Sequence, residues 1–180
     1  MILTYIYEHY GWSSFSLQFA IFFAIETGHS DYAQELIDFG FERLSEPSHR
    51  NKLLSRDHIL IEEIESEAQI LVESQEVLRH KQNKTERSMM ESLWKRRIKY
   101  FKKSKNIWNW TIHLRNLIIP ICSNLDFYLK FISELRKTQN FALIDMHFLK
   151  PMNMSLDARV ILEHIKILWA RNNKESAYKA

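Results

Sequence analysis

Glycine and proline are scarce in this sequence, and their scarcity restricts the folds that it can adopt. The chain has 180 residues with 3 Gly and 3 Pro, about 3% in total, whereas average usage would give roughly 12%. Sandwiches, barrels and doubly wound sheets need frequent turns, which depend on the backbone angles of these two residues. We therefore predict an all-α protein, an irregular helical bundle.

The positions of the glycines narrow the range of possible chemistry. Gly11, Gly28 and Gly40 all lie in the first 40 residues, and no glycine follows. Phosphate-binding loops of P-loop and dinucleotide enzymes need glycines so that the backbone can approach the ligand closely. The nucleophile elbow of serine hydrolases needs them as well. These classes are excluded, and we predict no cofactor.

The composition is that of a folded chain. It is 46% hydrophobic and 26% charged, which excludes a disordered protein, and 180 residues suffice for one domain with a core. We predict a single all-helical domain over residues 1–180. Its expected parts are apolar helices over 1–46, a long helix or helical hairpin over 48–105, C-terminal helices over 106–175 and a frayed tail over 172–180. Pro151 is expected to separate a short segment, 141–150, from the last helix.

Cysteine usage and the N-terminal residues suggest where the protein is found. The one cysteine, Cys122, lies in an apolar run and cannot form an internal disulfide, which suits a reducing compartment. The first eight residues lack the basic region and cleavage site of a secretory signal. We expect a cytoplasmic location, with the nucleus as an alternative.

The most apolar stretch of the chain, 15–25, is expected to be a core helix that is buried nearly all round. It is shorter than the roughly 20 residues that a membrane span needs, so no transmembrane segment is predicted. Ser13 or Ser14 can cap this helix, and Gly28 can end it.

A heptad pattern runs from residue 54 to residue 78. Apolar positions, with two polar interruptions, recur in alternating steps of three and four, which indicates a long coiled-coil-like helix with a helical partner. We predict a protein interface along this face, with another subunit or a second copy of the chain as the partner. Its residues are Ile61, Ile64, Leu71 and Leu78.

Opposite charges are concentrated in neighbouring segments. Residues 57–76 carry seven acids and no Lys or Arg, whereas residues 84–105 carry nine bases and two acids. If the chain turns near residues 80–85, the two segments form an antiparallel hairpin and their charges pair. If one helix continues through, its basic half is available to a partner. The sequence leaves both geometries open.

Aromatic residues alternate with the basic ones between residues 94 and 108. Lys and Arg neutralise phosphates, and aromatic rings stack on unpaired bases, so this mixture suits RNA or single-stranded DNA. The alternative is that the aromatic side of the helix is core and the basic side is solvated; a calmodulin-target or membrane-surface helix also fits. The candidate nucleic-acid-binding residues are Trp94, Lys95, Arg96, Arg97, Lys99, Tyr100, Lys102, Lys103 and Lys105.

One pair of residues suggests catalysis. Arg159 is followed by four residues and then His164 on a predicted C-terminal helix. This arrangement resembles the active-site motif of HEPN-type ribonucleases, and the resemblance implies metal-independent RNA cleavage at a dimer interface. Positions five apart on a helix differ by about 140°, so a second copy would be needed to assemble a compact site.

Metal chemistry has little support in the sequence. Asp145 with His147, or Glu76 with His80, could supply two ligands, but neither pair has an evident third. We predict no metal site. The predicted function is a non-enzymatic helical subunit of a macromolecular complex that binds partner proteins through helix faces. RNA or single-stranded DNA is a further partner, and the HEPN-like ribonuclease is the alternative.

Overall fold

The computed structural model describes residues 13–47, 58–83, 87–97, 105–154 and 157–172. These residues form eight α-helices and one short 3-10 turn, and they contain no strand, so the predicted all-α class is confirmed. The helices are α1 (Ser14–Thr27), α2 (Ser30–Ser45), α3 (His58–Asn83), α4 (Arg87–Arg97), α5 (Lys105–Asn116), α6 (Leu125–Lys137), α7 (Phe141–Met154) and α8 (Ala158–Ala170), with the 3-10 turn at Ile121–Asn124.

The helices belong to two compact units. The first consists of Met1–Trp94 and Asn106–Ile118, and the second of Lys95–Lys105 and Ile119–Ala180. In the first unit α1, α2 and α3 pack against one another. In the second unit α6, α7 and α8 do so. The organisation of residues 1–180 as a single domain stays a prediction.

A tight turn joins α1 to α2. Ser13 caps α1, since its side chain accepts a hydrogen bond from the amide of Ser16 at 3.1 Å. Gly28 ends the helix with a φ of 82°, a left-handed conformation that side chains rarely tolerate. The amide of His29 then donates to the carbonyl oxygen of Ala24 at 2.9 Å. The sequence-based predictions for both ends of α1 are confirmed, and the turn sets α1 and α2 side by side.

Gly40 lets α2 approach α3 closely. A Cβ atom at this position would lie 2.7 Å from Cδ2 of Leu71 in α3 and 3.3 Å from Cδ2 of Leu17 in α1. A glycine inside a helix costs about 1 kcal/mol relative to alanine, and the close packing of the leucines offsets that cost. The three helices therefore meet at the level of Gly40.

The chain reverses direction between α3 and α4. The indole nitrogen of Trp94 donates to Glu76 Oε2 at 2.7 Å. Eighteen residues apart on one straight helix, these positions would be separated by about 27 Å. A straight helix that continues through both positions is therefore excluded, and an antiparallel hairpin with paired charges stays a prediction. The long coiled coil is not confirmed, because α3 packs against α1 and α2 rather than against one long partner helix.

The second unit is built around the inner face of α6. Phe127, Phe131 and Ile132 are fully buried there, and the ring of Phe131 meets the edge of the His147 ring at 5.3 Å. Helix α7 passes through Pro151 and ends at Met154, so the expected separation at Pro151 is wrong. Proline has no amide hydrogen to donate to the carbonyl four residues earlier, and the helix ends three residues after Pro151.

Asp157 caps the last helix and is held in its charged form. Its carboxylate accepts hydrogen bonds from the amide of Arg159 at 2.8 Å and from that residue's guanidinium group at 2.6 Å. The hydrogen bonds from the Arg159 side chain and backbone lower the pKa of Asp157 from 3.8 to about 2. The cap therefore stays intact above the ordinary pKa and is lost as the pH falls through about 2.

We expect a carbon-detected NMR titration of Asp157 to give a midpoint near 2. The folded pKa is depressed, so protonation opposes the cap, and the Arg159 amide signal should move over the same pH range. In an Arg159→Gln variant the charged hydrogen bonds are removed, and the midpoint should rise toward 3.8. A midpoint near 3.8 in the unaltered protein would contradict this assignment.

Candidate interaction surfaces

The residues predicted as a protein interface divide into two groups. Leu71 and Leu78 are 1% exposed, whereas Ile61 and Ile64 are half-buried. Helix α3 is covered by α1 and α2 of the same chain, and Gly40 lies directly against Leu71. The heptad face thus has its helical partner inside the first unit, and the two leucines are not available to another protein.

The predicted nucleic-acid segment is only partly described. Lys95 and Arg96 are exposed and Arg97 is half-buried. Trp94 is 2% exposed, so its ring cannot stack on a base in this conformation. Lys99, Tyr100, Lys102, Lys103 and the side chain of Lys105 lie outside the described residues.

Trp94 belongs instead to a buried ionic cluster in the first unit. Arg115 of α5 donates from Nε and Nη2 to the two carboxylate oxygens of Glu73, at 2.9 and 2.7 Å, and neither side chain is exposed. The guanidinium carbon of Arg115 lies 5.0 Å from the centre of the Trp94 ring. Gln69 donates a further hydrogen bond to Glu73 at 2.8 Å. The cluster ties α3, α4 and α5 together.

Two acids of the acidic segment pair with arginines outside the basic segment. Glu73 pairs with Arg115, and Arg43 of α2 donates to Glu67 through Nη2. Burial lowers the pKa of Arg43, an effect partly offset by the charge of Glu46. The acids of α3 thus fasten neighbouring helices, a role that the pattern of alternating charge blocks did not indicate.

Arg159 and His164 do not meet within the chain. Arg159 is exposed and forms ion pairs with Asp157 and Asp126. The hydrogen bond that its side chain donates to Asp157, and then the charges of the two carboxylates, raise its pKa. The imidazole of His164 is half-buried and lies 5.8 Å from the ring of Phe148. The HEPN-like site in a dimer stays a prediction.

Helix α1 exposes three phenylalanines that the sequence analysis placed in the core. Phe15 is 68% exposed, Phe19 is 53% exposed and Phe23 is 50% exposed. Their spacing of four residues puts them on one face, which we call the aromatic stripe. The opposite face, with Leu17, Ala20, Ile21, Ala24 and Ile25, is the one that is buried. The confinement of the aliphatic residues to one side is the signal that distinguishes the two faces.

Helix α8 exposes a second apolar face, in the second unit. Ile161, Leu162 and Trp169 are 42%, 52% and 50% exposed. They lie on the side of the helix opposite the buried residues Val160, Glu163 and Ile167. Contiguous apolar surface of this kind is typical of interaction sites.

Neither a metal site nor a membrane span is found within the described ranges. No three His, Cys, Asp or Glu side chains among those residues are grouped as metal ligands. None of the described helices is both long enough and apolar enough to cross a bilayer.

Comparison with known proteins gives one match. No curated protein and no solved structure matches the chain. A family model described as FAT domain matches residues 18–180, from within α1 to the last residue, and so covers well over half of the sequence. The chain therefore belongs to the FAT domain family.

Proposed function

We propose that this chain is a non-enzymatic helical scaffold subunit that binds partner proteins of a larger complex through exposed helix faces. The observation that carries the proposal is the pair of exposed apolar faces, the aromatic stripe on α1 and the Ile161, Leu162 and Trp169 face on α8. Membership of the FAT domain family is compatible with this role, because a FAT domain is a helical domain suited to scaffolding in large complexes.

The exposed faces are suited to contact with proteins because of their residue types. Aromatic residues supply large contact areas at low entropic cost and are enriched where binding energy is concentrated. In both helices the opposite face is already buried against the chain's own helices. A helix with apolar residues on both sides leaves the second apolar face in contact with water. A partner protein that covers this face gains the free energy of removing it from water.

Purification of the protein from its native source tests the proposal. We expect an assembly much larger than the 21.7 kDa chain, with a partner protein at a constant ratio by quantitative mass spectrometry. The double variant Leu162→Ser with Trp169→Ser should reduce that ratio at least tenfold, since buried anchors of this type dominate interfaces, while leaving the melting temperature unchanged. Ala170→Ser, at an exposed position on the same helix, is the matched control.

Two results would overturn the proposal. One is a native extract in which the protein is present as a single chain, without a partner at a constant ratio. The other is RNA cleavage by the purified protein that His164→Ala abolishes, because it would establish the ribonuclease alternative.

Nucleic acid is a second candidate partner on the basis of one observation. Lys95 and Arg96 are exposed at the end of α4, where they can contact phosphates. We expect Lys95→Glu with Arg96→Glu to weaken binding of a single-stranded oligonucleotide. The slope of log affinity against log salt concentration should fall by the equivalent of about two phosphate contacts. An unchanged salt slope would remove this candidate.

A further inference from the structure

The α1–α2 hairpin carries an acidic stripe as well as the aromatic stripe. Four exposed acids of α2, spaced at four, three and four residues, form the acidic stripe on the face opposite the buried Ala33, Leu36, Ile37 and Gly40. These acids are Asp31, Glu35, Asp38 and Glu42. Because α1 and α2 are packed against each other, the two stripes lie on adjacent helices of one hairpin.

Most of this acidic charge is not neutralised within the described part of the chain. Asp38 accepts a hydrogen bond from the neutral amide of Gln34 at 2.8 Å. The carboxylates of Asp31, Glu35 and Glu42 form no ion pair with any described residue. Arg43, the one base on α2, is engaged by Glu67. Helix α2 of the hairpin therefore carries acidic charge that no described base pairs with, and its neighbour α1 carries the aromatic stripe.

The charge decides among the possible occupants of the aromatic stripe. Nucleic acid and anionic membranes would be repelled by the acids. A second copy of the chain, docked by the same face, would bring two acidic stripes together, and like charges across an interface are strongly unfavourable. A basic partner with an apolar face can bury the aromatic stripe and pair its charges with the acidic stripe.

We propose that the α1–α2 hairpin binds a basic amphipathic helix of a partner protein. The apolar face of that helix packs on Phe15, Phe19 and Phe23, and its Lys and Arg side chains pair with the acidic stripe. This is the helix-in-groove mode of recognition, in which apolar anchors recur every three or four residues. The inference rests on the proposed scaffold function and specifies the class of partner.

The dimensions fit a helix of about three to four turns. The aromatic stripe spans nine residues of α1, about 12 Å, and the acidic stripe spans twelve residues of α2, about 17 Å. The rings of Phe15 and Trp110 of α5 pack edge to face with their centres 5.7 Å apart, and this contact holds the start of the stripe in place. Phe19 and Phe23 are therefore the better positions for substitution.

A designed 18-residue helical peptide of Leu and Lys tests the inference on the full chain. Its Leu residues follow a helical spacing on one face, and fluorescence anisotropy gives its Kd. We expect Phe19→Ser with Phe23→Ser to weaken binding at least tenfold, as for interface anchors. Glu35→Lys with Asp38→Lys should weaken it about as much and abolish its salt dependence. Thermal unfolding should be unchanged in both variants because the substituted side chains are exposed.

Matched controls distinguish binding at this site from nonspecific binding of the basic peptide elsewhere on the protein. A peptide with Glu in place of Lys should not bind. Met146→Ser, at an exposed apolar position on α7 that belongs to neither proposed binding face, should leave the Kd within twofold. Equal loss of binding in the Met146 variant, or no loss in the Phe19 and Phe23 variant, would overturn the inference. A dimer of the chain that the Phe19 and Phe23 substitutions dissociate would also overturn it, by assigning the stripe to a second copy.

Failure of the inference and failure of the scaffold function give different results. If the native assembly is present but the Leu and Lys peptide does not bind the hairpin, the inference alone is wrong. If the peptide binds at the hairpin but no native assembly exists, the scaffold function is wrong and the peptide site remains.

Discussion

Replacement of Glu73 by alanine should lower the free energy of unfolding by about 3–5 kcal/mol, the usual cost of leaving one charge of a buried pair uncompensated. The guanidinium group of Arg115 would stay in a site where neither partner is exposed, without the two hydrogen bonds that it donates to the carboxylate. Urea denaturation followed by circular dichroism measures the loss.

The control for this variant is an exposed pair in the same unit. Arg87 donates to Glu91 at 2.9 Å, and the Arg87 side chain is 45% exposed, so Glu91→Ala should cost less than about 0.5 kcal/mol. Replacing both buried charges together, by Glu73→Leu with Arg115→Met, should recover most of the stability because no charge is left unpaired. If the double variant loses as much free energy of unfolding as the two single variants lose together, the pairing of Glu73 with Arg115 is contradicted.

Replacement of Trp94 by alanine should lower the free energy of unfolding by about 3–5 kcal/mol, the range for large aromatic residues in a core. The ring is 2% exposed, covers the guanidinium group of Arg115 and donates to Glu76. Trp94→Phe keeps an apolar ring but removes the donor, and should cost about 1–3 kcal/mol. The same urea titration measures both variants.

The phenylalanine variant also tests the stacking role that the sequence suggested for Trp94. Because the ring is buried, Trp94→Phe should leave the affinity for a single-stranded oligonucleotide unchanged, whereas Lys95→Glu with Arg96→Glu should reduce it. A weaker affinity in the folded Trp94→Phe variant would place the indole at the binding surface and contradict its burial.

The fold class could be predicted because it depends on local chemistry. A shortage of turn-forming residues favours helices, and Gly28 and Ser13 act on the residues next to them. The heptad pattern of α3 indicates a face that a helix covers, and Leu71 and Leu78 on that face are buried. The identity of that helix could not be predicted, because periodicity shows that a face will be covered but not which helix covers it.

The buried ionic cluster could not be predicted for the same reason. Glu73 lies in a run of acids and resembles a solvated residue, and its partner Arg115 follows 42 residues later. The exposed phenylalanines of α1 show the opposite case. A helix with apolar residues on every side is usually buried, but in α1 the aliphatic face packs against other helices and the aromatic face remains at the surface.

The pairing of Glu73 with Arg115 has a consequence for the order in which the protein can fold during its synthesis. The first unit is discontinuous, since it needs Asn106–Ile118 in addition to the residues up to Trp94. At the usual rates of translation Arg115 is added about 2–8 s after Glu73. Until then the carboxylate lacks the two hydrogen bonds that Arg115 donates to it in the folded unit, so we expect α1, α2 and α3 to pack fully only after α5 has been synthesised.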